Sequence, residues 1–436
     1  MERFSTAAVT ARVNGIFDAG SFEPLPPSHP ATTLMTGGGR VEGKPVWVAA
    51  ADPSRARGAL GMGEGQALCA LFRRARSEPR PLLLLIDSAG ANVDEGVAAL
   101  GAFRWLFQEA LLTRLAGLPM LALLGKSCFG GASMLASLCG QRLYSTETLL
   151  GVSGPGVIQA LGGRSELDAG DRSQVRALLG GPVRASLGPT ESLAPDDLAA
   201  FRAHAVRWLQ QSGVVDAARD LKAQHVELGR RLREGEAASA PPCGELELSS
   251  RRLRRLLHPD APFEWRGHAC MALPPAGSNE PAFIGVLGGG AVGAEACWQV
   301  ADALLDLHRS RPTSPAVLLL DASGHACTRR DETLLLSAYL AHLSLAAGWL
   351  AQQGHDVSAW LPGAAAGAVY VAFAAPARRV LALRNSRIRI LPEVAVRQIL
   401  GAGIEERVDT DALLNARVID GLLDVRFEAY AEESVA

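Results

Sequence analysis

Residues 119–155 read PMLALLGKSCFGGASMLASLCGQRLYSTETLLGVSGP. An apolar run, Met120 to Leu124, leads into a Gly-Gly pair. A small-residue helix is predicted over Ala132 to Leu138, and a second strand-like run, Leu143 to Val152, closes the segment. Gly130 and Gly131 lack a Cβ, so a ligand can approach their backbone closely, and the first N–H groups of a helix have no intrahelical acceptor. Two such N–H groups aimed at one carbonyl oxygen would form an oxyanion hole. Taken alone, a Gly-Gly pair points first to close packing of helix on strand.

The pattern around this stretch occurs twice. Upstream, Pro81 to Asp87 (PLLLLID) is a continuous apolar strand ending in DSAGANVDEG, followed by a long helix from about Asp94 to Leu115. From Pro281 onward, Pro315 to Asp321 (PAVLLLD) repeats the strand and Asp321-Ala-Ser-Gly324 repeats Asp87-Ser-Ala-Gly90. A long helix (about Asp331 to Gln352), a strand (Val357 to Leu361), the turn Gly363-Ala-Ala-Ala-Gly367 opening a helix to Ala374, and a strand (Val380 to Leu383) complete the copy. A period this long indicates duplicated domains rather than a solenoid. The interface between two such copies is the natural place for a shared site.

The 436 residues leave room for two or three domains, and 48% hydrophobic with 20% charged residues is ordinary for a globular chain. A net charge of −2 provides no basic field, so neither nucleic acid nor an anionic membrane is implied. Seven scattered cysteines without a CxxC pair read as reduced, buried thiols of a cytoplasmic protein, and no His/Cys cluster offers a metal site. The start, MERFSTAAVT, does not read as a signal peptide, and runs such as Leu82 to Ile86 and Val317 to Leu320 are too short to span a bilayer.

Elsewhere, Thr6 to Phe17 reads as a short helix, the stretch through Gly39 as a loop, and Val41 to Ala50 as a hairpin about a Gly-Lys-Pro turn. Gly63 to Arg76 is an amphipathic helix, paralleled by Gly293 to Leu307. Arg164 to Gly181 reads as a helix ending at a Gly pair. Asp196 to Glu236 reads as a structural helical hairpin with Phe201, Val206, Leu209, Leu221, Val226 and Leu232 as its apolar stripe. Ala237 to Gly244 is the linker candidate, and Arg251 to Leu257 a basic helix, read first as a solvated face and otherwise as a contact for an acidic partner or a phosphate.

On these residues the sequence resembles the crotonase-like carboxyltransferase superfamily, and within it biotin-independent malonate decarboxylase. The N-terminal half is similar to a beta subunit through Ile16 to Phe22, DSAGANVDEG, Cys128-Phe129-Gly130-Gly131, Gly154-Pro155 with Val157-Ile158, and Leu167 to Arg172 before Gly180-Gly181. The C-terminal half resembles a gamma subunit through Arg329-Arg330-Asp331-Glu332, Ala338 to Leu343, and Ala372-Phe373. The resemblance implies an α/β fold with two crotonase-like ββα-spiral domains in tandem, the duplicated carboxyltransferase type. A beta-like domain is expected over 1–240, a linker and entry segment over 241–280, and a gamma-like domain over 281–436. The chain departs from the family at Gly156 and Gln159, where acids are usual, at Asn92, where arginine is common, and at Ala365-Ala366-Gly367 in place of Ser-Gly-Gly.

The activity implied by this resemblance is decarboxylation of a malonyl thioester on an acyl carrier protein. The thioester arm, of phosphopantetheine type, would come with the carrier or with CoA, and no covalently bound cofactor is expected. A separate malonyl transferase subunit would load the carrier, and a homo-oligomer is compatible with the pattern. Gly130 and Gly131 would hold the enolate oxygen, and Ala366 and Gly367 the departing carboxylate or a later oxyanion. Ser88, Ala89, Gly90, Gly154 and Pro155 would line the substrate. Ser153, Tyr144, His325 and His342 are candidate proton donors, although His342, mid-helix among Leu and Ala, reads first as a packed histidine. Arg329 and Arg330 either grip a carrier phosphate or are surface charge paired with Asp331 and Glu332, while Asp94 and Glu95 would favour the N-terminus of their own helix. Two alternatives remain open: a biotin-dependent acyl-CoA carboxyltransferase subunit, its biotin on another chain since no Met-Lys-Met site is present, and a non-catalytic scaffold that docks the carrier. A crotonase-type hydratase would need a carboxylate pair near Gly130, and the sequence identifies none.

Overall fold

The computed structural model describes residues 2–30, 32–235, 263–275, 279–391 and 408–423. The linker and basic-helix expectations at 237–244 and 251–257 lie outside these. The chain forms two compact units that are not contiguous in sequence: residues 1–220 with 327–341, and the described parts of 221–326 with 342–436. A segment of the gamma-like half, 327–341, thus belongs to the unit built by the beta-like half.

In the first unit, the strands β1 (Glu23–Pro24), β2 (Met35–Val41), β3 (Lys44–Ala50), β4 (Leu82–Leu85), β5 (Met120–Leu124), β7 (Gln141–Ser145) and β9 (Glu191–Ala194) form one sheet in that order among the described residues. β3, β4, β5, β7 and β9 run parallel, in register Trp47↔Leu82, Leu82↔Met120, Leu121↔Gln141 and Arg142↔Glu191. These are the runs read as buried strands, and their side chains (Val46, Val48, Leu83, Leu85, Leu121, Leu123, Leu143) make the core with helices α1 (Val9–Ile16) and α8 (Leu198–Gln211). Between β5 and β7 the chain leaves the sheet: β6 (Ser127–Phe129) pairs in parallel with β8 (Leu149–Gly151), and helix α4 (Gly131–Leu138) follows. This is the ββα spiral unit. The single run expected at Leu143 to Val152 is therefore two strands, β7 and β8, in different sheets.

The second unit repeats the plan. β10 (Phe263–Arg266), β11 (Ala269–Ala272), β12 (Ala282–Val292), β13 (Ala316–His325), β14 (Val357–Leu361), β16 (Arg379–Ala382) and β18 (Gly421–Leu422) form its sheet in that order, and β15 (Ala364–Ala366) pairs with β17 (Arg387–Arg389) before the helix Gly367–Ala374. Each unit is thus a crotonase-like α/β spiral domain. One device recurs in both. The aspartate that ends the apolar strand accepts backbone N–H groups from the next turn: Asp87 Oδ1 from Gly125, Lys126 and Ser127, and Asp321 Oδ1 from Ala364.

Several expectations are corrected. Met35 to Gly39 is strand, not loop: the rings of Phe22, Trp47 and Phe17 occupy the space where Cβ atoms of Gly37, Gly38 and Gly39 would stand, so only glycine admits them. Within Arg164 to Gly181 the helix expected runs from Arg172 to Leu179, which is α6, with α5 (Pro155–Gly162) before it and a further short helix opening at Gly181. β13 runs on through His325, because β12 extends beside it to Val292. The long helix from Asp331 breaks at Leu335 (φ +67°) into Arg329–Thr333 and Leu336–Gln352. In α9 (Ala217–Glu234), Val226 is 61% exposed and leaves the expected apolar stripe.

Candidate active site

The chemistry-bearing turns of the first unit converge because β6 is held on both sides. Its partner β8 leads directly into Ser153, Gly154 and Pro155 at the start of α5. On the other side lies the loop Ser88–Gly90, where Ser88 N–H donates to Ser127 O at 2.7 Å and Phe129 N–H to Ser88 O at 3.0 Å. The structure therefore brings Ser88, Ala89, Gly90, Gly130, Gly131, Ser153, Gly154 and Pro155 together around one turn. The loop's own N–H groups are engaged: Ala89 donates to Arg57 O at 3.0 Å and Gly90 to Ser88 Oγ at 3.0 Å. The loop shapes the site and does not present an open donor of its own at these positions.

The expected donor pair is revised. Gly130 has φ +59° and its N–H is committed to Val152 O at 3.0 Å. It bends the chain into the helix, while Gly131 N–H opens α4 with no preceding turn to receive it. Gly131 must be glycine: a Cβ there would stand 2.4 Å from the Phe103 ring. In the corresponding turn of the second unit, after β15, the residue with positive φ is Gly367 (+52°), the counterpart of Gly130. Ala366 lies one step earlier, in β15 opposite Arg389, so the position matching Gly131 is Ala368 rather than Gly367.

The proton-donor candidates separate. Ser153 is 2% exposed and its Oγ donates to Cys327 Sγ at 3.2 Å. Burial pushes the Cys327 thiol up to about 11, so it stays protonated. Tyr144 donates to Glu191 Oε2 at 2.7 Å beside the buried Arg142, and burial followed by that carboxylate raises it well above its ordinary value. It belongs to the core. His325 ends β13, buried in the second unit. His342 shares a 3.0 Å hydrogen bond with His225 and is the packed histidine the sequence suggested, lowered to about 3 by burial and then by His225.

Arg329 is exposed, and its backbone N–H donates to Glu166 Oε2 at 2.6 Å. Arg330 is paired with Asp331 at 3.5 Å and only 15% exposed at its side chain, so it is not an open phosphate grip. Glu95 does not serve its own helix. Its Oε2 accepts Met62 N–H at 2.7 Å, at the N-terminus of α2 (Met62–Ser77), and its Oε1 accepts Asn92 Nδ2 at 3.0 Å. Gln159 at the departure site accepts Ala169 N–H at 2.7 Å, while a Cβ at Gly156 would meet nothing within 4 Å.

Sequence reasoning missed Glu332. It reads as surface charge at a helix start, yet it is fully buried in the first unit, with Oε1 accepting Ser153 N–H at 2.7 Å. Burial, above all, lifts its carboxyl from 4.5 to about 7 against the opposing pull of Arg184. Among the described residues no group of three or more His, Cys, Asp or Glu could hold a metal ion, and no helix is long and apolar enough to cross a membrane.

Residues 10–211 match the carboxyl transferase domain family, and residues 288–412 match the malonate decarboxylase gamma subunit family. The two matches divide the chain between them, the first in its N-terminal and the second in its C-terminal part. The chain thus joins a region similar to a carboxyl transferase domain to a region similar to a malonate decarboxylase gamma subunit in one polypeptide. A curated relative is the acetyl-coenzyme A carboxylase carboxyl transferase subunit beta of Brucella canis, 32% identical over 127 residues, which are 29% of this chain and 42% of that protein. The propionyl-CoA carboxylase carboxyltransferase subunit of Haloferax mediterranei is 29% identical over 44% of this chain and 36% of its own length. The chain thus spans less than half of either relative. Among solved structures, a Pseudomonas malonate decarboxylase hetero-tetramer in complex with malonate aligns at 26% identity and TM-score 0.48, over 55% of this chain and 94% of that one. Transcarboxylase 12S aligns over 98% of this chain and 88% of its own at 18% identity and TM-score 0.42.

Proposed function

We propose that the protein decarboxylates a malonyl thioester carried on an acyl carrier protein. The observation that carries this reading is the turn Phe129-Gly130-Gly131, held between Ser88 and Val152 with Gly131 N–H leading a helix, in a chain whose other half is of the malonate decarboxylase gamma type. Cleavage of the Cα–carboxylate bond releases carbon dioxide and leaves its electron pair on the thioester as an enolate. Gly131 N–H, with the positive end of α4 behind it, would stabilise the enolate oxygen, and a donor of this kind contributes about 3 kcal/mol. Proton uptake at the α-carbon then gives the acetyl thioester. The reaction would run in the cytoplasm without biotin, on a carrier loaded by a separate transferase.

A second reading is favoured by one observation. The curated relatives named above are carboxyltransferase subunits of acyl-CoA carboxylases by name, so the same turn could hold an acyl-CoA enolate that receives a carboxyl group. Mass spectrometry of malonyl-carrier and malonyl-CoA incubated with the purified chain separates the readings. Loss of one carbon dioxide without biotin or ATP is the expected result. Turnover only with a carboxybiotin partner would establish the carboxyltransferase, and an unchanged malonyl-carrier in both cases would mark a docking scaffold.

A further inference from the structure

The carboxyl group of Glu332 is enclosed by four elements. From its own helix comes Asp331, from the segment just before it the Cys327 thiol, and from α7 (Gly181–Ala185) the Arg184 guanidinium, 3.7 Å from Oε2. Arg184 is turned largely towards carbonyls: it donates to Glu332 O at 2.6 Å and to Leu150 O at 3.0 and 3.1 Å. β8 closes the fourth side, where Gly151 has no side chain and a Cβ would stand 2.8 Å from Oε2. The Val152 N–H also leans towards this carboxyl, yet Oε2 has no hydrogen bond of full geometry among the described residues. A buried carboxyl oxygen left in this state is costly unless its proton or its charge is used.

What Oε1 touches gives that use. It accepts Ser153 N–H at 2.7 Å. This N–H and the Val152 carbonyl are the two ends of one peptide group, and Val152 O is the acceptor of Gly130 N–H at 3.0 Å. A single peptide plane therefore connects the carboxyl of Glu332 to the residue whose left-handed backbone aims α4. A negative charge on Glu332 polarises that peptide, strengthens the Val152 acceptor and holds Gly130 more firmly, since linked hydrogen bonds reinforce one another in a low-dielectric interior.

We propose that Glu332 is the positioning residue of the Gly130–Gly131 turn, and that ionisation of its carboxyl, transmitted through the Val152–Ser153 peptide, tightens the turn for catalysis. For its rate readout this rests on the decarboxylase reading; for its structural readout it does not. A charge-assisted hydrogen bond outweighs a neutral one enough to change the rate about tenfold.

The test combines two measurements. In the wild-type chain, the 15N shifts of Gly130 and Gly131 are followed from pH 5 to 9, together with the infrared C=O band of a protonated carboxylic acid. The band should disappear and both shifts should move with one midpoint near neutrality. In E332Q, whose amide oxygen still accepts Ser153 N–H, the band should be absent and the shifts flat. Malonyl-carrier turnover by the wild type should rise about tenfold with the same midpoint, and E332Q should stay at the low-pH rate at every pH. A wild-type pH profile retained in E332Q, or glycine shifts that ignore the titration, overturns the proposal. If malonyl-carrier is not turned over at all, the decarboxylase reading fails, while the glycine shifts still decide the role of Glu332.

Discussion

Asp87 Oδ1 accepts Lys126 N–H at 2.8 Å, and the same aspartate forms an ion pair with Arg12, both side chains being buried. The counterpart Asp321 is only half-buried, and its Oδ1 accepts Ala364 N–H at 2.8 Å. Asp87→Ala removes the acceptor for three N–H groups and strands a buried guanidinium, a change that costs about 3–5 kcal/mol. Asp321→Ala, at a wetter site, should cost only about 1 kcal/mol. Urea denaturation of the two variants side by side checks the difference. Equal costs would mean that the repeated device carries equal weight in both units.

The ionised form that fixes the Gly130 turn is the form the fold favours least. The carboxyl of Glu332 is raised from 4.5 to about 7, so between these values the folded chain holds a proton that the unfolded chain has released. Its contribution to stability is therefore complete below about pH 4.5 and is lost as pH rises through 7, by an amount of order 3 kcal/mol. The stability difference between wild type and E332Q, measured by denaturation at pH 5 and pH 8, should fall by that order. A difference that grows with pH would reverse the sign and place the folded carboxyl below its ordinary value.

Glu332 also shows where sequence reading stopped. Leu82–Leu85, Met120–Leu124 and the first half of Ala316–His325 were legible because a strand buried on both faces is a plain apolar run, and the repetition of the first in the last disclosed the duplication. The convergence of Ser88–Gly90 with Gly130–Gly131 followed from the family pattern. What could not be read depends on distant partners. The Gly37–Gly39 strand exists because the rings of Phe17, Phe22 and Trp47 fill its missing side chains. Glu332, in Arg-Arg-Asp-Glu, has the local look of a solvated helix start, and the arginine that bonds its backbone lies 148 residues away. The commitment of Gly130 N–H to Val152 was likewise invisible, since it follows from the pairing of two three-residue strands.

Gly131 and Phe103 form a coupled pair. A methyl at position 131 would stand 2.4 and 2.7 Å from the Phe103 ring, an overlap that costs about 1–3 kcal/mol and displaces the leading N–H of α4. Gly131→Ala should therefore lower both melting temperature and malonyl-carrier turnover, the latter by about 100-fold for a displacement near 1 Å. Phe103→Leu in the same chain should restore much of each. A double-mutant cycle with no coupling between 103 and 131 would show that the loss comes from elsewhere in the turn.

His342 gives the second unit the opposite pH response. It is fully buried, and burial followed by the neighbouring His225 lowers it from 6.5 to about 3. Below pH 6.5 the unfolded chain takes up a proton that the folded chain refuses, so stability is complete above 6.5 and falls by several kcal/mol as pH drops towards 3. Its ring resonances should show no titration between pH 5 and 8, and a midpoint inside that range would contradict the packed, neutral role. Acidification relieves the unit that holds Glu332 and burdens the unit that holds His342. Hydrogen exchange at pH 5 should accordingly show protection rising in β5 and β7 relative to pH 8 while it falls in β13 and β14. Protection moving in the same direction in all four strands would mean that neither buried group controls the pH response of its own sheet.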